Sequence, residues 1–137
     1  MNPIQITAQR ARKYFSSELI RRGYKVLEER SRNEKRPPSH LCFESPSGKE
    51  FVVKVLGQST GRFWRYDWKE PQPGLYYAFV FVPFNDAPRV FIMESRKAME
   101  LWKEYKDRIM LTKKNGKNRT QQYKEGQDYI QATPEAL

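Results

Sequence analysis

The sequence has 137 residues, of which 38% are hydrophobic and 14% aromatic, so it can form one modest core but not two ordinary domains. Lys and Arg number 26 against 16 Asp and Glu, and the net charge of +10 favours polyanionic partners. With one cysteine and one histidine, the chain cannot form an internal disulfide, a zinc site of Cys and His ligands or a Cys/His nucleophile pair. The N-terminus lacks the apolar stretch of a signal peptide and no apolar run could span a bilayer, so we expect a soluble, cytoplasmic protein without membrane partners.

The N-terminal part is predicted to form a helix, a strand and a polar loop. Large apolar residues recur near helical spacing over residues 7–22, and Gly23 is a typical helix terminator. Residues 24–29 have the composition of a strand, and the polar loop that follows ends in the stiff pair Pro37-Pro38. Residues 1–36 therefore contribute a helix, whose outer face is basic, and a first strand.

The middle of the chain is predicted to form most of a sheet. Residues 40–45 and 50–57 have strand composition, and Pro46-Ser47-Gly48 between them is a tight-turn signal, so we expect a hairpin. Residues 75–84 are almost all β-branched or aromatic, which is typical of a central strand buried on both faces. Alternation would place Tyr77, Phe79 and Phe81 on one face and Tyr76, Ala78, Val80 and Val82 on the other.

A strand over residues 89–93 and a helix from about Ser95 to residue 108 complete the predicted order, with Ser95 as N-cap. Residues 1–110 are predicted to form one α/β domain, a central mixed β-sheet flanked by helices, and residues 111–137 a polar, basic tail that is loosely packed or disordered. The inward face of the last helix would carry Ala98, Leu101, Trp102 and Tyr105.

Five segments follow one another in a distinctive order: LIRRGYKV (19–26), LCFESPSG (41–48), FVVKVLG (51–57), LYYAFVFV (75–82) and PRVFIMES (88–95). In order and spacing they resemble small members of the PD-(D/E)xK nuclease superfamily, over roughly residues 8–108. The resemblance implies a restriction-endonuclease-like fold.

The residues that the family uses for catalysis are replaced in this sequence. The family holds Mg²⁺ with an acidic residue at the start of the second strand, with Glu or Gln two residues before a Lys on the third, and often with a helix Glu. When Gly57 is matched to the glycine that commonly follows the family's lysine, His40, Lys54 and Leu56 occupy the strand positions. Arg12 falls where the helix Glu would be. We therefore expect no catalytic activity, no bound metal and no cofactor.

An alternative alignment also leaves the third strand without a metal-binding carboxylate. If the third strand is shifted by two residues, Lys54 matches the catalytic lysine, but its partner is then Val52. Glu44 or Glu50 could supply a relocated ligand, yet Glu50 lies roughly 13 Å along the strand from Lys54 at about 3.3 Å per residue. An active metal-dependent endonuclease with relocated ligands is thus an alternative and not the leading hypothesis.

The leading hypothesis is a non-catalytic, nuclease-like domain that binds nucleic acid, DNA in preference to RNA, as an accessory or regulatory protein. Arg12, His40 and Lys54 would converge into an anion pocket. A protein-protein interaction module, with a protein partner or a second copy of the chain, is a further alternative. The residues predicted to bind nucleic acid are Arg12, Lys13, Arg21, Arg22, Lys54, Arg62, Arg65, Lys113, Lys114, Lys117 and Arg119.

The run Arg62-Phe-Trp-Arg-Tyr-Asp-Trp68 supports two interpretations. Aromatic residues interleaved with arginines can stack bases and bind phosphates. Trp64, Tyr66 and Trp68 also alternate, however, so one face of a short strand could bury all three, and this is the interpretation we prefer. Cys42 is expected to be a small buried residue.

Overall fold

A computed structural model of the chain describes residues 2–31, 38–60, 64 and 66–114. Within them the elements are α1 (Pro3–Arg21), β1 (Lys25–Ser31), β2 (Pro38–Glu44), β3 (Glu50–Gln58), β4 (Leu75–Phe81), β5 (Arg89–Glu94) and α2 (Ser95–Lys114). The five strands form one mixed sheet in the order β1-β2-β3-β4-β5, in which only β3 and β4 are parallel. This arrangement confirms the predicted α/β class. No helix in this part of the chain is long and apolar enough to cross a membrane.

Helix α1 begins earlier than its apolar periodicity predicts, because its first turn is capped by polar residues. The Asn2 side chain accepts a hydrogen bond from the Gln5 N–H at 2.9 Å, and the Gln5 side chain accepts one from the Asn2 N–H at 3.1 Å. This reciprocal pair satisfies two N–H groups that a helix start otherwise leaves unbonded. Gly23, with φ at 89°, follows the helix end as predicted.

The β2–β3 hairpin is confirmed. The Gly48 N–H donates to the Ser45 carbonyl at 2.9 Å, the Ser45 N–H donates to the Lys49 carbonyl at 2.8 Å, and Gly48 has φ at 87°. This left-handed conformation is easily adopted only by glycine. Strand β2 begins at Pro38, so the second proline of the predicted loop belongs to the sheet.

Strand β4 separates two hydrophobic clusters, as its alternation predicts. Ala78, Val80 and Val82 belong to the first cluster, which contains Phe15 and Leu19 of α1. Tyr77, Phe79 and Phe81 belong to the second cluster, which contains Met99 and Leu101 of α2. The two helices therefore cover opposite faces of the sheet. Strand β4 is interior but lies one position from the middle strand, which is β3.

Glycine at position 57 allows α1 to approach β3 closely. A Cβ atom built on Gly57 would lie 2.5 Å from the Cβ of Ala11 and 3.3 Å from the Thr7 carbonyl oxygen. Real Cβ atoms do not approach this closely, so a side chain here would force the helix away from the sheet. This packing gives the glycine a structural reason that is independent of any catalytic motif.

Helix α2 differs from prediction at both ends. Ser95 is buried, and its hydroxyl accepts a hydrogen bond from the Gln72 N–H at 2.9 Å and donates to the Gln72 carbonyl at 3.0 Å. The predicted N-cap side chain thus ties the helix to the segment before β4. The helix continues to Lys114, beyond the predicted end near residue 108. Ala98 and Leu101 are buried as predicted, Trp102 is partly buried, and the Tyr105 side chain and residues 115–137 lie outside the described residues.

Candidate functional site

A cleft of about 420 Å³ opens on the α2 face of the sheet, near the amino end of β4. One wall comes from the sheet, through β2, β3 and β4. The other comes from residues 69–74, an irregular part of the connection between the parallel strands β3 and β4. The polar side chains that line the cleft are His40, Lys54, Lys69, Glu70, Gln72 and Tyr77.

Three of these residues form a row across adjacent strands. His40 on β2 is paired with Lys54 on β3, and Lys54 is paired in turn with Tyr77 on β4. Directly opposed residues on antiparallel strands have Cβ atoms about 4.5–5.5 Å apart, so the side chains of His40 and Lys54 are neighbours. The Lys54 Nζ atom lies 5.7 Å from the centroid of the Tyr77 ring, within cation–π range. The ammonium group is therefore positioned over an aromatic floor.

Tyr77 closes the bottom of the cleft. Its side chain is buried, and this burial raises the pKa of the phenol above its ordinary value of 10.0. The phenol is consequently neutral at physiological pH and adds no negative charge beneath Lys54. It supplies an electron-rich ring face and a neutral hydroxyl.

The charged lining comprises two lysines, Lys54 and Lys69, and one glutamate, Glu70. Ammonium groups bind phosphate or carboxylate oxygens through charge-assisted hydrogen bonds. The residues beside Lys54 on its strand face are apolar: Val52 lines the cleft and Leu56 packs against the second hydrophobic cluster. The position that the resemblance matches to the family's lysine is therefore filled by an apolar side chain.

The structure places the relocated-ligand candidates away from the cleft lining. Glu44 and Glu50 are paired with each other at the hairpin end of β2 and β3. Like charges directly opposite one another destabilise a strand pair. In the part of the chain that the structure describes, no three residues of the types His, Cys, Asp and Glu are grouped so that they could hold a metal ion.

Arg12 is separated from the other two members of the predicted anion pocket. It lies on α1, which packs on the first-cluster face, whereas Lys54 and His40 line a cleft on the second-cluster face. Arg12 does not line this cleft. The structure brings His40 and Lys54 together and adds Lys69, which the sequence analysis did not select.

The other basic residues of α1 differ in their surroundings. Lys13 is exposed. Arg21 and Arg22 both bond the carboxylate of Glu18, and the Arg21 Nη2 atom lies 2.7 Å from Glu18 Oε2. The hydrogen bond from Arg22, followed by that from Arg21, lowers the pKa of Glu18 below its ordinary value of 4.5. Part of the positive charge at this end of the helix is therefore neutralised within the protein.

Several predicted contact residues cannot be placed. Arg62, Arg65, Lys117 and Arg119 lie outside the described residues. Lys113 and Lys114 belong to the last turn of α2, but their side chains also lie outside the described part. The basic surface that these residues would form stays a prediction.

The aromatic run before β4 is part of the core, as preferred. Trp64, Tyr66 and Trp68 pack in or against the second cluster, and the rings of Trp64 and Phe79 have centroids 5.3 Å apart. The Tyr66 hydroxyl donates to the Ala98 carbonyl at 2.8 Å. Trp64 is buried as predicted, whereas Tyr66 and Trp68 are only partly buried. Residues 66–68 are not a strand, so the predicted secondary structure is wrong. These rings are engaged in packing and do not form an open surface for bases.

No family model, curated protein or solved structure matches the chain. The α/β class with its five-stranded mixed sheet rests on the structure itself. The restriction-endonuclease-like class stays a prediction from the resemblance, and function has to be inferred from the chemistry of the cleft.

Proposed function

We propose that this domain binds nucleic acid without cleaving it, and that the cleft holds a backbone phosphate between Lys54 and Lys69. The observation that carries the proposal is the pairing of Lys54 with His40 on one side and with Tyr77 on the other, in a cleft that also receives Lys69. Two ammonium groups outnumber the single carboxylate of Glu70. A monovalent or divalent oxyanion is the ligand that such a lining favours.

The surroundings of the cleft support a polymeric anion over a small one. A second cleft of about 400 Å³ adjoins the first, and the two share the segment 72–75. Its charged lining consists of Lys49, Arg96 and Glu94, so cations again outnumber carboxylates. Together with the net charge of +10, this arrangement suits a ligand with several phosphates in a row.

The resemblance to PD-(D/E)xK nucleases agrees with a phosphate-binding role and not with hydrolysis. In that family the corresponding strand positions hold a metal ion against the phosphate that is cleaved. Here they carry His40, Lys54 and Leu56, of which none offers a carboxylate oxygen. A cationic side chain can replace the metal ion as a partner of the phosphate, but it cannot generate the metal-bound hydroxide that attacks it. We infer an accessory or regulatory protein, with DNA as the preferred nucleic acid.

The proposal is tested by fluorescence anisotropy with a labelled duplex at increasing salt. Neutralising two to four phosphates gives a slope of about −2 to −4 in log affinity against log salt, because each contact contributes about −0.9. Incubation of plasmid with the protein and Mg²⁺ or Mn²⁺ should leave the plasmid uncut. An affinity that is independent of salt would indicate an apolar protein interface, and metal-dependent nicking would support the relocated-ligand nuclease.

A further inference from the structure

An aromatic side chain stands exposed at the end of β4 remote from the cleft. Phe84 lies in the β4–β5 loop, and 73% of its surface is exposed, although it follows the buried Val82 by only two residues. Exposing a phenylalanine forgoes the stabilisation that burial of its ring would contribute. A single exposed apolar residue is common on protein surfaces. Phe84 differs from such isolated residues because the side chain of Arg10 supports its ring.

Arg10 of α1 fixes the base of the loop and supports the ring. Its Nη2 atom donates a hydrogen bond to the Pro83 carbonyl at 3.2 Å, and its guanidinium carbon lies 4.4 Å from the centroid of the Phe84 ring. The Nη1 atom is buried without a hydrogen-bond partner, and the electron-rich ring face is its partial substitute. The aromatic ring is thus held on one face by a cation that is itself anchored to the backbone.

The remaining surface of this ring faces solvent beside a basic helix. Lys13 lies one turn after Arg10 on α1, and residues three positions apart are neighbours on a helix surface. The loop itself contains one carboxylate, that of Asp86, whose Oδ1 atom accepts a hydrogen bond from the Ala87 N–H at 2.7 Å. The ring thus has the Arg10 guanidinium on one face, with Lys13 one turn further along the same helix and a single carboxylate in its own loop, and this charge balance favours a ligand that combines a flat apolar face with negative charge.

We propose that Phe84, supported by Arg10, is a stacking platform for one unpaired nucleic-acid base, with Lys13 contacting a neighbouring phosphate. This inference rests on the proposed nucleic-acid binding and specifies it, because an aromatic side chain reaches the face of a base only where that base is not stacked inside a duplex. The domain consequently prefers single strands, or duplexes with an unpaired end, over continuous duplex.

The platform and the cleft can be tested separately, since they lie at opposite ends of β4. That strand has seven residues and extends about 23 Å at roughly 3.3 Å per residue. The two contacts also involve different helices, since Arg10 belongs to α1 and Ser95 of α2 ties down the wall of the cleft. A variant at one site should leave the geometry of the other unchanged.

The test measures anisotropy with a labelled single strand, a blunt duplex of the same sequence, and a single strand that carries abasic sites. The change Phe84→Ala should weaken single-strand binding roughly 5- to 150-fold, the range expected for one lost stacking contact. It should alter duplex binding less than about twofold. Phe84→Trp should retain single-strand affinity, while Phe84→Leu should behave like Phe84→Ala because an aliphatic side chain has no π face. The wild-type protein should bind the abasic strand as weakly as the Phe84→Ala variant binds the intact strand.

Asn85→Ala, an exposed neighbour in the same loop, is the matched control and should bind like wild type. Phe84→Ala with unchanged single-strand affinity overturns the platform alone, as does an equal loss on single strand and duplex. A change in oligomeric state on Phe84→Ala, with unaltered nucleic-acid binding, would make the ring a contact between copies and would also overturn it. Failure of the wild-type protein to bind any of the probes at low salt overturns both the platform and the proposed function.

Discussion

The two faces of the sheet are built from the same strands but are covered differently. On the first face a regular helix contacts β3 so closely that only glycine fits at position 57, and Phe15 and Leu19 are wholly buried beneath it. On the second face, α2 covers β4 and β5, while the irregular segment 69–74 lies beside β3 and leaves a cleft. A regular helix closes the first face of the sheet, whereas the irregular connection between the parallel strands leaves room for a ligand on the second face.

The side chains on the two faces reflect this difference. On β3, Phe51 and Val53 point to the closed face and are buried, whereas Lys54 points to the open face beside His40. A lysine is rarely tolerated in a closed core, because removing its charge from water costs several kcal/mol. Its presence on an interior strand therefore marks the place where the covering layer is incomplete.

The largest expected effect comes from disturbing the closed face. The change Gly57→Ala puts a methyl group into contact with the Ala11 Cβ at 2.5 Å, so α1 has to move. Overpacking of this kind typically costs about 1–3 kcal/mol of unfolding free energy, measurable by urea denaturation.

Adding Ala11→Gly to Gly57→Ala removes the methyl group that obstructs it. The double variant should recover part of the loss, even though glycine inside a helix itself costs about 1 kcal/mol. A positive coupling in this double-mutant cycle would show that the two positions interact as described. Strict additivity, or an unchanged stability of Gly57→Ala, would mean that the helix does not approach the strand so closely.

A smaller effect is expected at the surface of the closed face, where Glu18 bonds Arg21 and Arg22. Glu18→Gln should lower the unfolding free energy at neutral pH by up to about 1 kcal/mol, since the pair is partly exposed. The folded-state pKa of Glu18 lies below its ordinary value, so its stabilising contribution is present above that value and is lost as pH falls through the folded-state pKa. The unfolding free energies of wild type and Glu18→Gln should therefore converge as the pH is lowered. If the two still differ well below the folded-state pKa of Glu18, the effect of the substitution comes from packing and not from charge.

The smallest effect concerns the hairpin end of the open face, where Glu44 and Glu50 are directly opposed. Glu50→Lys converts a like-charge pair into an attractive one and should raise the unfolding free energy by about 0.2–1 kcal/mol. The same experiment with Mn²⁺ examines the relocated-ligand alternative. If wild type were stabilised by Mn²⁺ and Glu50→Lys were not, the two carboxylates would be metal ligands after all.

Local patterns in the sequence predicted much of the fold. The alternation of β4 identified which side chains belong to each face, and Gly48 identified the hairpin, because both features depend on near neighbours in the chain. The start of α1 was missed because its capping box is polar and lacks apolar periodicity. The burial of Trp64 was predicted correctly, and that of Tyr66 and Trp68 only in part. Their irregular backbone was not predicted, because a strand also needs hydrogen-bonding partners that side-chain alternation does not reveal.

The candidate site was less accessible to sequence analysis. His40 and Lys54 could be brought together through the hairpin register, which a short turn fixes. The placement of Arg12 on the opposite face could not be predicted, since handedness rules apply to crossovers between parallel strands and not to the link from α1 to β1. Lys69 and Gln72 were missed because they belong to a connection without periodicity, and only the sheet topology places that connection beside β3.

The most direct test of the account compares the loss of nucleic-acid affinity in Lys54→Gln and Lys97→Gln. Both changes remove one positive charge, but Lys54 lines the cleft, whereas Lys97 is exposed on α2 and lines neither cleft. If a phosphate binds in the cleft, Lys54→Gln should reduce duplex affinity several-fold and lower the salt slope by about 0.9, the contribution of one phosphate contact. Lys97→Gln should alter both much less, with thermal unfolding showing that each variant is folded. Equal losses in the two variants would mean that binding is spread over the basic surface, and would contradict a phosphate site between Lys54 and Lys69.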